Sequence, residues 1–258
     1  YLDKLEIARK NPKRWEMFNG FCYDETFIRG ETEEDFIALT KHFYEKYHKR
    51  NFPVMAVLEF SELWRAPNMP PQVTSKAFEY VTDVAFDLYT IDVRDGASNI
   101  SKSGGGITAA QYYFPQITDG KSCYKVLTEA MLERANRPMN VWFYPSAHAY
   151  TAFGSLEGTH KETEDYCLAH LDFFNEYLKE FEHAGGMVLY TYFKLDTYPE
   201  DLYCMNSFLE VKDENGNQKI RPQDNVCWKK YSDRLRELTA EYRETEANLL
   251  LEPQPENK

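Results

Sequence analysis

No stretch of this 258-residue chain approaches the ~20 consecutive apolar residues of a membrane-spanning helix, so no membrane insertion is expected. Cysteine is sparse: Cys22, Cys123, Cys167, Cys204 and Cys227 are widely spaced, with no C-x-x-C pair. That spacing excludes a zinc ribbon and a dense disulfide scaffold, and the odd count leaves a thiol unpaired within the chain. Cys22 lies in an apolar run and Cys167 in a helical pattern, where a buried thiol is the commoner use. Positive charge is in deficit, with 30 Lys and Arg against 42 Asp and Glu and a formal charge of −12. Neutralising phosphates takes clustered cations, so no nucleic-acid partner is expected and neutral or cationic substrates are favoured. The one glycine run, Ser103-Gly104-Gly105-Gly106, lacks both the Lys-Ser/Thr pair and the GxGxxG register of a phosphate loop. No internal repeat of fixed period is visible.

Aromatic residues are abundant, 16% of the chain with 19 Tyr and 17 Phe. They suit a core, and equally the walls of a sugar-binding cleft. Five short apolar runs, at 18–25, 53–59, 86–95, 139–148 and 187–192, each close in carboxylates, histidine or aromatics. Strands of a parallel α/β sheet carry their active-site residues at their C-terminal ends and in the loops that follow. The length fits one such domain, since α/β barrels commonly run to roughly 250 residues.

The apolar patterning predicts a helix over 2–15 and a strand over 17–23. A helix then opens at Thr32 with acids in its first turn and places Phe36, Leu39, Phe43 and Tyr47 at helical spacing. Strand 53–60 is nearly all apolar, as in a strand buried on both faces. A Pro-rich loop, a helix over 73–81 and a strand over 85–93 follow. Helix 123–136, strand 139–144, helix 162–183 and strand 187–193 complete the alternation, with Ala184-Gly185-Gly186 read as a left-handed helix cap. Asn215-Gly216 marks a hairpin over 208–221. A last helix spans 224–245, and the Pro- and Glu-containing 246–258 reads as a flexible tail. Residues 1–245 are thus expected to form a single domain. The chain opens on Tyr1 and carries one glycosylation-type triplet, Asn99-Ile100-Ser101. Both features fit a secreted or cell-surface protein, and a cytoplasmic one stays open.

Alternating strands and helices imply right-handed βαβ units and a parallel sheet. Gly20-Phe21-Cys22-Tyr23-Asp24-Glu25 is similar to an aromatic-rich fourth strand ending in an acid. The run from Phe86-Asp87-Leu88-Tyr89 to Arg94-Asp95-Gly96 is similar to a sixth strand, and Met139-Asn140-Val141-Trp142-Phe143 to a seventh. The hairpin around Asn215-Gly216, followed by Arg221-Pro222 and a helix with Trp228 and Tyr231, looks like a closing segment. In these motifs the chain resembles the C-terminal part of a (β/α)8 glycoside hydrolase of the large retaining clan, and more loosely a family of bacterial surface barrels of uncertain activity. The resemblance implies a TIM-barrel-like α/β fold, incomplete with about five parallel strands readable, and a carbohydrate substrate. Where that clan carries a nucleophilic glutamate after the seventh strand, this chain has Tyr144-Pro145-Ser146-Ala147-His148, without a carboxylate.

Glycoside hydrolysis needs a protonated acid at the leaving oxygen and a second carboxylate roughly 5 to 9.5 Å away across the sugar ring. Asp24 or Glu25 is the candidate acid, with helix capping as the alternative use. Asp92 and Asp95, flanking Arg94, are candidates for the partner, and Glu59 and Glu62 are weaker ones. Substrate contacts are expected from Glu59, Trp64, Arg94, His148, Tyr150, Tyr190, Tyr192 and Asp196. His148 could also hold a metal with Asp92 or Asp95, but His160 and His170 share no ligand spacing with it, so neither a metal nor a cofactor is expected. The expected function is a glycosidase. The alternatives are a non-catalytic glycan-binding barrel and a metal-dependent hydrolase or deacetylase.

Overall fold

The computed structural model describes residues 10, 20–47, 52–64, 73–86, 88, 91–95, 106–146, 148–150, 160–189, 202–204, 208–212, 218–222 and 229–251, with the backbone alone for 47, 106, 108, 109, 148–150, 160–163, 202–204, 208–212, 218–222, 229 and 243–251. The helix expected over 2–15 lies outside these residues.

Strand β1 (Phe21–Asp24) leads through a turn into helix α1 (Glu33–Tyr47). Thr32 opens that helix: its Oγ1 accepts the Asp35 N–H at 3.1 Å, and Glu33, Glu34 and Asp35 complement the positive end of the dipole. Strand β2 (Val54–Leu58) is buried at every position. A one-turn helix, α2 (Phe60–Leu63), a 3-10 turn (Ser75–Phe78) and β3 (Asp83–Phe86) follow. The helix expected over 73–81 is therefore only this short turn. Arg137 Nη1 takes the Phe78 carbonyl at 3.1 Å and also reaches that of Glu79, which satisfies the carbonyls that a longer helix would have used.

Helix α3 (Gly106–Tyr113), for which the sequence pattern predicts no element, precedes α4 (Gly120–Ala135) and β4 (Asn140–Phe143). A short strand, β5 (His148–Tyr150), leaves the main sheet and pairs antiparallel with β7 (Leu202–Cys204). Helix α5 (His160–Leu178) returns to β6 (Ala184–Met187). The hairpin expected around Asn215-Gly216 is present as β8 (Phe208–Lys212) paired with β9 (Gln218–Pro222). Helix α6 (Lys229–Leu251) runs past the expected boundary at 245 and packs Tyr231 and Leu238 against Tyr166, Cys167 and Leu171 of α5.

The main sheet has the order β1-β2-β3-β4-β6, and every pairing in it is parallel. Parallel crossovers are right-handed, so strands laid down in consecutive order send all their helices to one face. The core has that form. Ala56, Leu58, Val84, Phe86, Val141 and Phe143 pack against Phe36 of α1, Leu127 and Met131 of α4, and Phe174 and Tyr177 of α5. On the opposite face Met55, Val57 and Ala85 cluster with Trp142 and Tyr144.

Ala184-Gly185-Gly186 form strand here, not a helix cap. A Cβ on Gly185 would stand 2.2 Å from the Trp142 indole nitrogen, so these glycines serve the close approach of β4 to β6. A left-handed helix cap is found on a different helix, at Asn136 with φ +53° after α4. Among the described residues no helix is long and apolar enough to cross a membrane.

Candidate functional site

The C-terminal ends of β1 and β2 bring three carboxylates to adjacent positions. Asp24 ends β1, and Glu25 follows at φ +48°, a left-handed backbone that costs an L-residue roughly 1–2 kcal/mol. That conformation turns the chain out of the sheet while the Glu25 N–H still reaches the Val57 carbonyl at 3.1 Å. Four residues on, Arg29 sets Nη2 3.4 Å from Asp24 and 3.5 Å from Glu25. The guanidinium is 63% exposed, so solvent screens much of its attraction to the two acids.

Glu59 follows β2 and caps α2, its Oε2 accepting the Ser61 N–H at 2.8 Å and the Ser61 hydroxyl. Its neighbour Glu62 is fully buried. Glu62 Oε1 accepts the backbone N–H of Phe27 at 2.8 Å and of Ile28 at 3.1 Å, and Oε2 accepts that of Glu59 at 2.7 Å. Burial pushes its carboxyl above the usual range, and these N–H donors pull in the other direction. One side chain thus joins the loop after β1 to the segment after β2.

After β3, Asp92 is held by Arg94 through the backbone N–H at 3.0 Å, Nε at 3.0 Å and Nη2 at 2.6 Å. The bond to Asp92 holds the guanidinium above its ordinary value, and the guanidinium lies 5.8 Å from the Tyr166 ring centre. Asp95 is 94% exposed and pairs with Lys121 Nζ at 2.8 Å. Lys121 lowers its carboxyl below the usual range and belongs to the first turn of α4, so Asp95 faces the helical layer. Asp92 and Arg94 are brought together as an ion pair, and Asp95 is directed to a separate partner.

After β4, the Ser146 N–H approaches His170 Nδ1 at 3.5 Å, and His170 Nε2 is 2.6 Å from the Ile91 carbonyl. A carbonyl only accepts, so Nε2 carries the proton and Nδ1 receives Ser146. His170 is fully buried and ties the loop after β3 to the loop after β4, as Glu62 does for β1 and β2. Neither tie was singled out in the sequence as structural. The signal for Glu62 was its place three residues after Glu59, the spacing of a capping box. The signal for His170 was its position among Tyr166, Cys167, Leu171 and Phe174 on the buried stripe of α5.

Trp64 is 8% exposed, with Phe60, Phe86 and Phe114 around it, and serves the core instead of presenting a face to a sugar ring. His148 and Tyr150 lie in β5, in register with Cys204 and Leu202 of β7. Tyr190, Tyr192 and Asp196 fall outside the described residues. Among the described residues no group of three or more His, Cys, Asp and Glu could hold a metal ion.

A cleft of about 950 Å³ runs along β1 and α1, lined by Asp24, Arg29, Glu31, Asp35 and His42 together with apolar Leu39. A second, of about 510 Å³, lies at the N-terminal ends of the strands, by Thr82, Asp83, Asn140 and Trp142. There Asp83 is occupied: it accepts the Trp142 indole N–H at 2.7 Å and the Thr82 hydroxyl at 2.6 Å. Among the described strand-end acids, Asp24 and Glu25 at the C-terminal end keep part of their carboxylates in solvent. In comparisons with known proteins, no family model and no curated protein matches the chain.

Proposed function

We propose that the five parallel strands belong to a (β/α)8 barrel and that the protein is a glycoside hydrolase working at the C-terminal ends of β1 and β2. The strand order supports the barrel reading. With the described helices on one face, the opposite face is nonetheless buried at Met55, Val57 and Ala85, as the inner face of a sheet closing on itself would be. The observation that carries the functional reading is Glu25: a non-glycine residue in left-handed backbone at a strand end is strain of the kind found at active sites.

In this reading Glu25 is the proton donor and Glu59 the second carboxylate. Glu25 lies beside Leu58 in the extended β1–β2 register, one residue short of Glu59. Strand spacing and rise then put their Cα atoms about 6 Å apart, and side-chain torsions can span the roughly 5 to 9.5 Å that retaining and inverting mechanisms use. Asp92 and Asp95 are weaker partners because each is held in a close ion pair, by Arg94 at 2.6 Å and Lys121 at 2.8 Å, whereas Glu59 accepts from the neutral donors of Ser61.

The test is incubation with a panel of oligo- and polysaccharides, with products followed by mass spectrometry. Glu25→Gln and Glu59→Gln should each lower turnover by about 10³-fold or more, whereas Asp95→Asn should leave it within about twofold. Full turnover in Glu25→Gln would sink the assignment. Glycan binding without any product would move the protein to the glycan-binding alternative.

A further inference from the structure

Glu62 is fully buried, yet its carboxylate spends all its hydrogen bonds on backbone donors that belong to two different loops. A helix cap needs only the bond to the Glu59 N–H. The bonds to Phe27 and Ile28, 35 and 34 residues away in sequence, add nothing to α2. They fix the turn that follows Glu25, in which the Gly30 N–H is closed onto the Phe27 carbonyl and the Arg29 N–H onto that of Glu25. The same carboxylate therefore sets the backbone on which Glu25 and Arg29 stand and the backbone of Glu59. A hydrophobic residue of similar size would fill the space but take the acceptor from the buried Phe27 N–H and from the half-buried Ile28 and Glu59 N–H groups.

We propose that Glu62 is the positioning residue of the site, a buried clamp that fixes Glu25 and Glu59 relative to one another. This rests on the glycosidase reading above. Glu62 does not touch the substrate; it acts through the two carboxylates, whose separation decides whether proton donation and attack fall on the same sugar ring. Glutamine is the informative replacement, because its amide offers one acceptor oxygen where the carboxylate offers two. Glu62→Gln keeps the volume and must give up one side of the clamp.

The first measurement needs no substrate and no variant. Native-state hydrogen exchange of the wild-type protein should show the Phe27, Ile28 and Glu59 amides opening with the same free energy, since they share one acceptor group. Independent openings would overturn the clamp. In folded Glu62→Gln, one set, either Glu59 or the Phe27–Ile28 pair, should exchange at least tenfold faster. On a substrate found in the panel, kcat should fall at least tenfold with KM within about threefold, and Glu62→Asp should not restore it because the shorter arm cannot span both loops. A residue of merely structural importance would lower the folded fraction and leave kcat per folded molecule unchanged, and that result would also overturn the proposal. Wild-type protein that neither cleaves nor binds any glycan would instead sink the glycosidase reading, and the shared opening of the three amides would then decide the clamp alone.

Discussion

Glu25 carries the sharpest conflict between local preference and observed conformation. At φ +48° its Cβ crowds the following carbonyl, a penalty glycine does not bear. Replacing it with glycine should therefore stabilise the fold by about 1 kcal/mol, reduced somewhat by the extra freedom glycine gives the unfolded chain. The same change removes the proposed proton donor. Denaturant unfolding of Glu25→Gly should thus show a higher midpoint alongside lost turnover, the trade expected where strain is kept for function. A lower midpoint would mean that the Glu25 contact with Arg29 outweighs the backbone strain. Sequence alone could not reveal this residue's state, because Asp-Glu after an apolar run reads equally as a strand end or a helix start. Cys123 shows the opposite situation: burial pushes its thiol up to about 12, in keeping with an inert core cysteine on α4.

At the scale of elements, what was legible followed periodicity, and what was missed depended on partners distant in sequence. The β2 run and the α1 and α4 stripes declared themselves because their apolar positions repeat at the strand and helix periods, and the alternating run around Asn215-Gly216 declared the β8–β9 pair. Strand β3 ends at Phe86, well short of the expected 93, although Ile91 and Val93 are buried. Their burial comes from loop packing under α4 and α5, which local pattern cannot distinguish from strand. The β6 start was misplaced for a similar reason: Gly185-Gly186 looks like a helix stop until Trp142 is known to lie against it. Gly185→Ala would put a methyl 2.2 to 2.5 Å from three indole atoms, and Trp142 is itself anchored by its bond to Asp83. The expected loss is about 1–3 kcal/mol, seen as a lower unfolding midpoint. A variant Gly30→Ala, where no atom lies within 4 Å but φ is +95°, separates backbone strain from this steric cost.

For the molecule as a whole, the edge of the sheet at β1 distinguishes a closed barrel from an open sheet. The Phe21 and Glu25 N–H groups bond to Pro53 and Val57 of the β2 side, so by the alternation of a strand the Cys22 and Asp24 N–H groups point away from β2. Among the described residues no strand pairs with that edge. An open edge with unpaired donors invites association with other strands, whereas a closed barrel has no edge at all. The two states differ in amide exchange at single residues. In a closed barrel, Cys22 and Asp24 should exchange as slowly as amides of the central strands β2 and β3, because each would be bonded to a neighbouring strand and opening it would require global unfolding. With an open sheet they should exchange several orders of magnitude faster than Glu25, whose N–H is already paired. Exchange of residues 22 to 25 read by nuclear magnetic resonance or by mass spectrometry with residue resolution distinguishes these cases. Slow exchange at all four positions, at a protein concentration where the chain is monomeric, supports the barrel. Protection that appears only as concentration rises would mean that a second copy covers the edge, and the barrel reading would then fail while the site at the ends of β1 and β2 would still stand on its own geometry.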